Sequence, residues 1–183
     1  MNAILGGVVT GELRLRGEDT VGAAAFEALV EARLDALYRL AAVLLGDRIE
    51  AEDATHEAIV KAQRAWPSLR DPTAGRAWLD RIVVNECRDR LRRRGVARSV
   101  ANANPMGMAT VLPDELIAGQ RDALRDALAE LSPDHRIVIV LRYLVDLPVD
   151  EIATRISAPA GTVKSRLHHA LRALRAAHEA FDR

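Results

Sequence analysis

Aromatic residues make up only 3% of the chain, cysteine occurs once, and 26 basic side chains cancel 26 acidic ones. Each shortage excludes something. One cysteine, Cys87, forms neither an internal disulfide framework nor a cysteine-rich metal cage, so stability must come from packing. No apolar run approaches the ~18 residues needed to cross a bilayer. In MNAILGGVVTGELRLR the short apolar stretch precedes the positive charges, the reverse of a secretory leader, and cytoplasmic residence is the expectation. A zero net charge excludes a polybasic protein that coats nucleic acid through bulk attraction. Scarce aromatics make base stacking a minor mode of recognition and point to cores of Leu, Ile, Val and Ala.

What is present is enough to fold. With 183 residues, 49% of them hydrophobic, the chain can build one ordinary domain or two small ones. Its charges are also sorted along the sequence. From Arg81 to Arg98 the chain carries Arg81, Arg88, Arg90, Arg92, Arg93, Arg94 and Arg98 against Glu86 and Asp89. From Asp47 to Glu57 the balance reverses, with Asp47, Glu50, Glu52, Asp53 and Glu57 against Arg48 and His56. Two fields of opposite sign suggest two different partners.

The apolar periodicity is helical almost throughout, and strand signals are nearly absent. Phe26, Val30, Leu34, Leu37, Tyr38, Ala41, Leu44 and Leu45 mark a helix ending at Gly46, where a left-handed cap is expected. A second helix from about Ala51 to Trp66 has an alanine-rich face and stops at Pro67. SLRDPTAG, Ser68 to Gly75, reads as a loop. The helix after it, from about Arg76 to Arg94, places Leu79, Val83, Val84, Cys87 and Leu91 on one side and Arg81, Asn85, Arg88 and Arg92 on the other, which is expected to face outward. Periodicity then lapses through ANANPMGMATVLPDE, a linker longer than compact domains usually contain. It returns from Arg121 to Leu131, and Ser132-Pro133 signals the start of a further helix ending near Asp146. The expectation is an all-α chain of two small helical domains: an N-terminal extension 1–21, a first domain 22–95, a flexible linker 96–119 and a second domain 120–183.

The most informative stretch is PVDEIATRISAPAGTVKSRLHHALRALR, Pro148 to Arg175. Val149, Ile152, Ala153 and Ile156 give a short helix its apolar side; SAPAG supplies a turn; Val163, Leu167, Ala170, Leu171 and Leu174 give the next helix its packed side. The face left over carries Thr162, Lys164, Ser165, Arg166, His168, His169, Arg172 and Arg175, with no acidic residue among them. Such a helix fits the ~12 Å major groove, where Arg and Lys reach guanine O6 and N7. Any surface helix carries some arginines, but a face without one acid in a neutral chain favours DNA contact. Ser157 stands at a turn position where many helix-turn-helix motifs have Gly.

AEDATHEAIVKAQ (Ala51 to Gln63), RAWLDRIVVNECRDRLRRR (Arg76 to Arg94), VDEIATRI and PAGTVKSRLHHALRALR, in this order, resemble the extracytoplasmic-function (ECF) family of bacterial RNA polymerase sigma factors over nearly everything from Phe26 to Phe181. The resemblance implies a region 2 helical bundle and a region 4 helix-turn-helix. It implies that Glu52, Asp53, Glu57 and Val60 bind core RNA polymerase, a role the residues alone do not assign, since an acidic run is more often a solvated face. His56 and Gln63 stand where the family more often has Gln and an aromatic residue. By resemblance, the helix around Asn85 reads the minus-ten element, Arg88, Arg92 and Arg93 contact the backbone, and the loop Ser68 to Gly75 lies where a flipped base is captured. Asn85 alone fits a base or a neighbouring helix equally, and Trp78 reads as a core or shelf residue. Thr162, Lys164, Ser165, Arg166, His168, His169 and Arg172 would read the minus-thirty-five element in duplex form. Family members are commonly held inactive by an anti-sigma factor, so core RNA polymerase, promoter DNA and an anti-sigma factor are the expected partners.

An enzyme is not expected. Glu52, Asp53, His56 and Glu57 lack the second His of a zinc-hydrolase helix, adjacent His168 and His169 point about 100° apart, and no cofactor motif is found. The alternative is a free-standing helix-turn-helix regulator acting without core polymerase, which usually reads two half-sites as a dimer.

Overall fold

In a computed structural model, residues 17–101 and 118–181 are described; most of the expected extension 1–21 and of the expected linker 96–119, namely residues 1–16 and 102–117, lie outside them, as do 182 and 183. Every regular element among the described residues is helical. The helices are α1 (Gly17–Leu45), α2 (Arg48–Ala65), α3 (Gly75–Ala101), α4 (Ala118–Glu130), α5 (Pro133–Ile139), α6 (Val149–Ile156) and α7 (Ala160–Phe181).

The first three form a bundle. Gly46 ends α1 in the left-handed conformation at φ 69, its N–H donating to Ala42 O at 2.8 Å. Asp47 then caps α2, its carboxylate accepting from Glu50 N at 3.0 Å. The alanine-rich face of α2 is fully buried through Ala51, Ala54, Ala58 and Ala62. Small side chains there let α2 approach Leu37, Leu44 and Leu45 of α1 and Leu79, Val83 and Val84 of α3, all buried. Phe26, Trp66 and Trp78 close one end, with ring centroids 5.4 and 5.9 Å apart in succession, and Trp66 Nε1 donates to Gly22 O at 2.8 Å. Trp78 is thus a packed shelf. Cys87 is buried, and burial pushes its thiol up to about 12, which keeps it an unreactive packing residue.

α3 continues past Gly95 to Ala101, beyond the point where the apolar stripe gives out.

The second unit holds α4 to α7. Ser132 caps α5, accepting from His135 N at 3.4 Å, and Pro133 follows at the first helical position. Helical periodicity predicts one uninterrupted helix to about Asp146. The backbone instead widens into a single π-helical turn over Val140–Leu144, closed by Val145 N donating to Val140 O at 3.1 Å. α6 and α7 form the expected helix-turn-helix, with Ile152, Ile156, Val163, Leu167 and Ala170 buried between and behind them. Ser157 makes the turn with φ 52 and ψ 48, the left-handed region that glycine favours.

The two units pack together, α5 and α6 lying on α3. Arg33 of α1 and Arg155 of α6 both bind Asp80 of α3, at 2.8 and 3.2 Å. Arg136 of α5, itself buried, donates to Leu44 O at the end of α1 and to Ala129 O. The side of α3 expected to face outward is therefore partly covered: Arg81, Asn85 and Arg88 are half-buried, and Arg92 is exposed.

Candidate polymerase and nucleic-acid interfaces

The outward side of α2 follows from its inward one. Because the alanines recur every three or four residues toward the core, Glu52, Asp53, His56 and Glu57 are left exposed, with Val60 half-buried beside them. Glu57 pairs with Arg90 of α3 at 3.0 Å, whereas Glu52 and Asp53 have no ion-pair partner among the described residues. Ile49 stands 76% exposed at the start of the same face. The sequence reading missed Ile49; its signal was an apolar residue out of phase with the alanine stripe. Under this surface Glu86 is buried and receives Lys61 and Arg90. Burial works most strongly against its charge, but the hydrogen bonds and positive charges of Lys61 and Arg90 together outweigh it and hold the carboxyl below its ordinary range.

On α3 the basic side chains have differing surroundings. Arg93 is exposed, its Nε donating to Asp89 O at 3.3 Å. Arg88 donates to Asn85 Oδ1 at 3.3 Å, so the Asn85 amide is engaged within its own helix. Burial draws the Arg88 guanidinium below its ordinary value, against the pull of Asp134. The preceding loop is a formed turn: Asp71 Oδ1 accepts from Thr73 N at 2.9 Å and from Thr73 Oγ1 at 2.6 Å. Those two bonds hold the Asp71 carboxyl below its ordinary value.

α7 presents the face expected of it. Lys164, Ser165, His168, His169, Arg172 and Arg175 are exposed, and Thr162 and Arg166 half-buried. Ser165 Oγ turns back to Thr162 O at 3.2 Å. The His135 and His169 rings stack at 6.3 Å, and His168 meets His169 edge-on at 5.7 Å. Among the described residues no group of His, Cys, Asp and Glu side chains is placed to hold a metal. Arg166 is drawn aside to Asp134 at 3.0 Å.

The two units match two separate family models: Sigma-70 region 2 over residues 29–96 and Sigma-70, region 4 over residues 121–174. The chain is similar to the ECF RNA polymerase sigma factor SigL of Mycobacterium tuberculosis, 38% identical over 168 residues that cover 88% of this chain and 93% of SigL. The chain belongs to the ECF sigma factors. This sigma factor binds core RNA polymerase and directs promoter-specific initiation, and a free-standing regulator is not favoured. It is also similar to the RNA polymerase sigma-E factor of Streptomyces avermitilis, 34% identical over 157 residues, 86% of this chain and 87% of that one. Among solved structures, the sigma factor RpoE in complex with the anti-sigma factor NepR from Bartonella quintana aligns with TM-score 0.67 at 25% identity, over 84% of this sigma factor and 96% of RpoE. Among the described residues no helix is long and apolar enough to cross a membrane.

Proposed function

We propose that this ECF sigma factor divides promoter recognition among three faces and acts by binding rather than by catalysis. Glu52, Asp53 and Glu57 on α2, with Val60 and Ile49 beside them, dock on core polymerase. Asn85, Arg88, Arg92 and Arg93 on α3, with the turn before it, hold the minus-ten region and its displaced strand, where positive charge offsets the few kcal/mol that base flipping costs. Thr162, Lys164, Ser165, Arg166, His168, His169 and Arg172 on α7 read the minus-thirty-five duplex. The functional division runs through residues 96–119, with 22–95 and 120–183 as the two domains. By analogy with RpoE, whose solved structure contains the anti-sigma factor NepR, an anti-sigma factor is a further partner.

The observation that carries this reading is the outer face of α7: exposed but for half-buried Thr162 and Arg166, rich in donors, without an acid from Thr162 to Arg175, and borne on the second helix of a helix-turn-helix. Footprinting of the holoenzyme tests it. Replacing Arg166 and Arg172 by Ala weakens upstream protection and leaves polymerase binding intact; equal loss of both contradicts the assignment. Charge reversal at Asp53 and Glu57 reduces co-purification with core enzyme, and unchanged co-purification removes the docking model.

A further inference from the structure

His135, His168 and His169 meet on one edge of the second unit. The backbone N–H of His135 is the one that Ser132 Oγ caps, at 3.4 Å, so the start of α5 fixes where this side chain leaves the helix. Its half-buried ring lies over that of His169 in α7, with centroids 6.3 Å and planes 26° apart. His169 in turn meets His168 at 5.7 Å with planes 74° apart. The last two are exposed on the face assigned to DNA; His135 lies outside that set. Among the described residues no ring nitrogen of the three is committed to a hydrogen bond or ion pair.

The charges around this cluster are mostly basic or already matched. On α7, Lys164 lies one turn before His168 and Arg172 one turn after it, both exposed. On α5, Asp134 is shared by Arg88 and Arg92 of α3 and Arg166 of α7, and Arg136 turns inward to Leu44 O and Ala129 O. In α6 Arg155 pairs with Asp80 and Glu151, in α4 Arg125 pairs with Asp126, and in the turn after α5 Arg142 pairs with Asp146. Glu130 of α4 and Asp150 of α6 have no ion pair among the described residues, with an imidazole or any other group.

Cations beside an imidazole oppose its protonation, and an anion favours it. A duplex phosphate arriving at α7 is such an anion. Histidine is the side chain whose charge changes near neutrality, and the added proton makes both ring nitrogens donors.

We propose that α7 grips duplex phosphates with proton uptake at His168 and His169, and that His135 is a positioning residue whose ring sets the His169 imidazole toward the duplex. The inference deepens the α7 reading and rests on it. Contact between two rings restricts the torsions of both, and a phenyl ring serves this purpose as imidazole does.

The test follows binding of the full-length chain to a random-sequence DNA duplex by fluorescence anisotropy, at two pH values and across a range of salt. The unaltered chain should bind roughly threefold to tenfold more tightly at about pH 6 than at about pH 8. Its plot of log affinity against log salt should steepen at the lower pH by about 0.9 per proton gained. Replacing His168 and His169 together by Gln should remove most of both effects, although His56, His135 and His178 remain. A pH-independent affinity, or the same pH dependence in this double variant, overturns proton uptake. His135→Ala should weaken binding about threefold even at about pH 8, and His135→Phe should restore it. Unchanged binding in the first, or equal loss in both, overturns the positioning role. Should His135→Ala misfold by circular dichroism, His135→Gln fills the space without a ring and must show the same loss. Arg172→Ala separates the inference from the reading beneath it: unchanged affinity at both pH values means that the α7 assignment fails. Weaker binding there, with the pH dependence kept in the double variant, means that the inference fails alone.

Discussion

Arg155 of α6 donates its Nε–H to Asp80 Oδ2 of α3 at 3.2 Å, and both residues are buried although 75 positions separate them in sequence. Glu151 completes the cluster from one turn earlier, accepting from Arg155 Nη1 at 2.8 Å. The Asp80 carboxylate is held by two cations, half-buried Arg33 and buried Arg155, so its loss leaves Arg33 without its ion pair and Arg155 with Glu151 alone.

Asp80→Ala should therefore destabilise the protein by about 3 kcal/mol, as breaking a buried pair from one side does. Arg155→Met should cost less, because the aliphatic stem still packs and Arg33 still satisfies Asp80. The double variant should be little worse than Asp80→Ala, giving a coupling of about 1–3 kcal/mol in a double-mutant cycle followed by urea denaturation. Strict additivity would show that the pair does not bind the units.

Glu86 supplies the pH dependence. Its carboxyl lies below its ordinary value of 4.5 in the folded protein because Lys61 and Arg90 overcome the cost of burial. A group depressed by folding contributes stability that is fully present above its unfolded pKa and is lost as pH falls through the folded one. Stability should hold from neutrality to about pH 5 and decline below 4.5 toward the lower folded value. Glu86→Gln should cost about 1–3 kcal/mol at pH 7 and flatten that acid limb in melts taken across pH. An acid limb as steep as that of the unaltered protein would assign the effect elsewhere.

Much of this was legible in the sequence because it is periodic or punctuated. The alanine face of α2, the Leu79 to Leu91 stripe of α3, the glycine cap at Gly46, the Ser132-Pro133 start and the helix-turn-helix all leave a repeating or local signal. The junction between units leaves none. Arg136 and Arg155 fall in amphipathic helices where charge reads as solvent-facing, and Asp80 and Glu86 read the same way, yet all four are buried. Their partners lie on other helices, and a long-range ion pair has no period. For the same reason the basic side of α3 looks free in sequence although Asp134 faces it from the second unit. The widened turn at Val140–Leu144 is a change in hydrogen-bond register that apolar spacing does not encode. Ile49 was visible but out of phase, and a search for core stripes passes over such residues.

The turn of the helix-turn-helix offers a gain in stability. Ser157 is exposed and adopts φ 52, where its Cβ crowds the following carbonyl. Ser157→Gly removes that crowding, against the larger entropy glycine has when unfolded. The balance should be about 0.5–1 kcal/mol of stabilisation, seen as a higher Tm, with DNA affinity unchanged because Ser157 lies outside the proposed reading face. A lower Tm would mean that the serine makes a compensating contact.

Ile49 separates docking from folding. At 76% exposure its side chain contributes little to the core, so Ile49→Ala should alter stability by no more than about 0.5 kcal/mol. Ile49 lies at the start of the α2 face that carries Glu52 and Asp53, and if that face docks on polymerase as proposed, it adds an apolar contact beside the charge. Truncating an apolar residue that becomes buried at an interface commonly costs more than 1 kcal/mol, or about tenfold in affinity. Competition against the unaltered sigma factor for a limiting amount of core polymerase should show that loss at unchanged Tm. Asp53→Lys should weaken assembly chiefly by slowing association, with a strong dependence on salt, whereas Ile49→Ala should act through faster dissociation and depend little on salt. Equal salt dependence for the two variants would place Ile49 outside the contact and leave the acidic side chains as its whole basis.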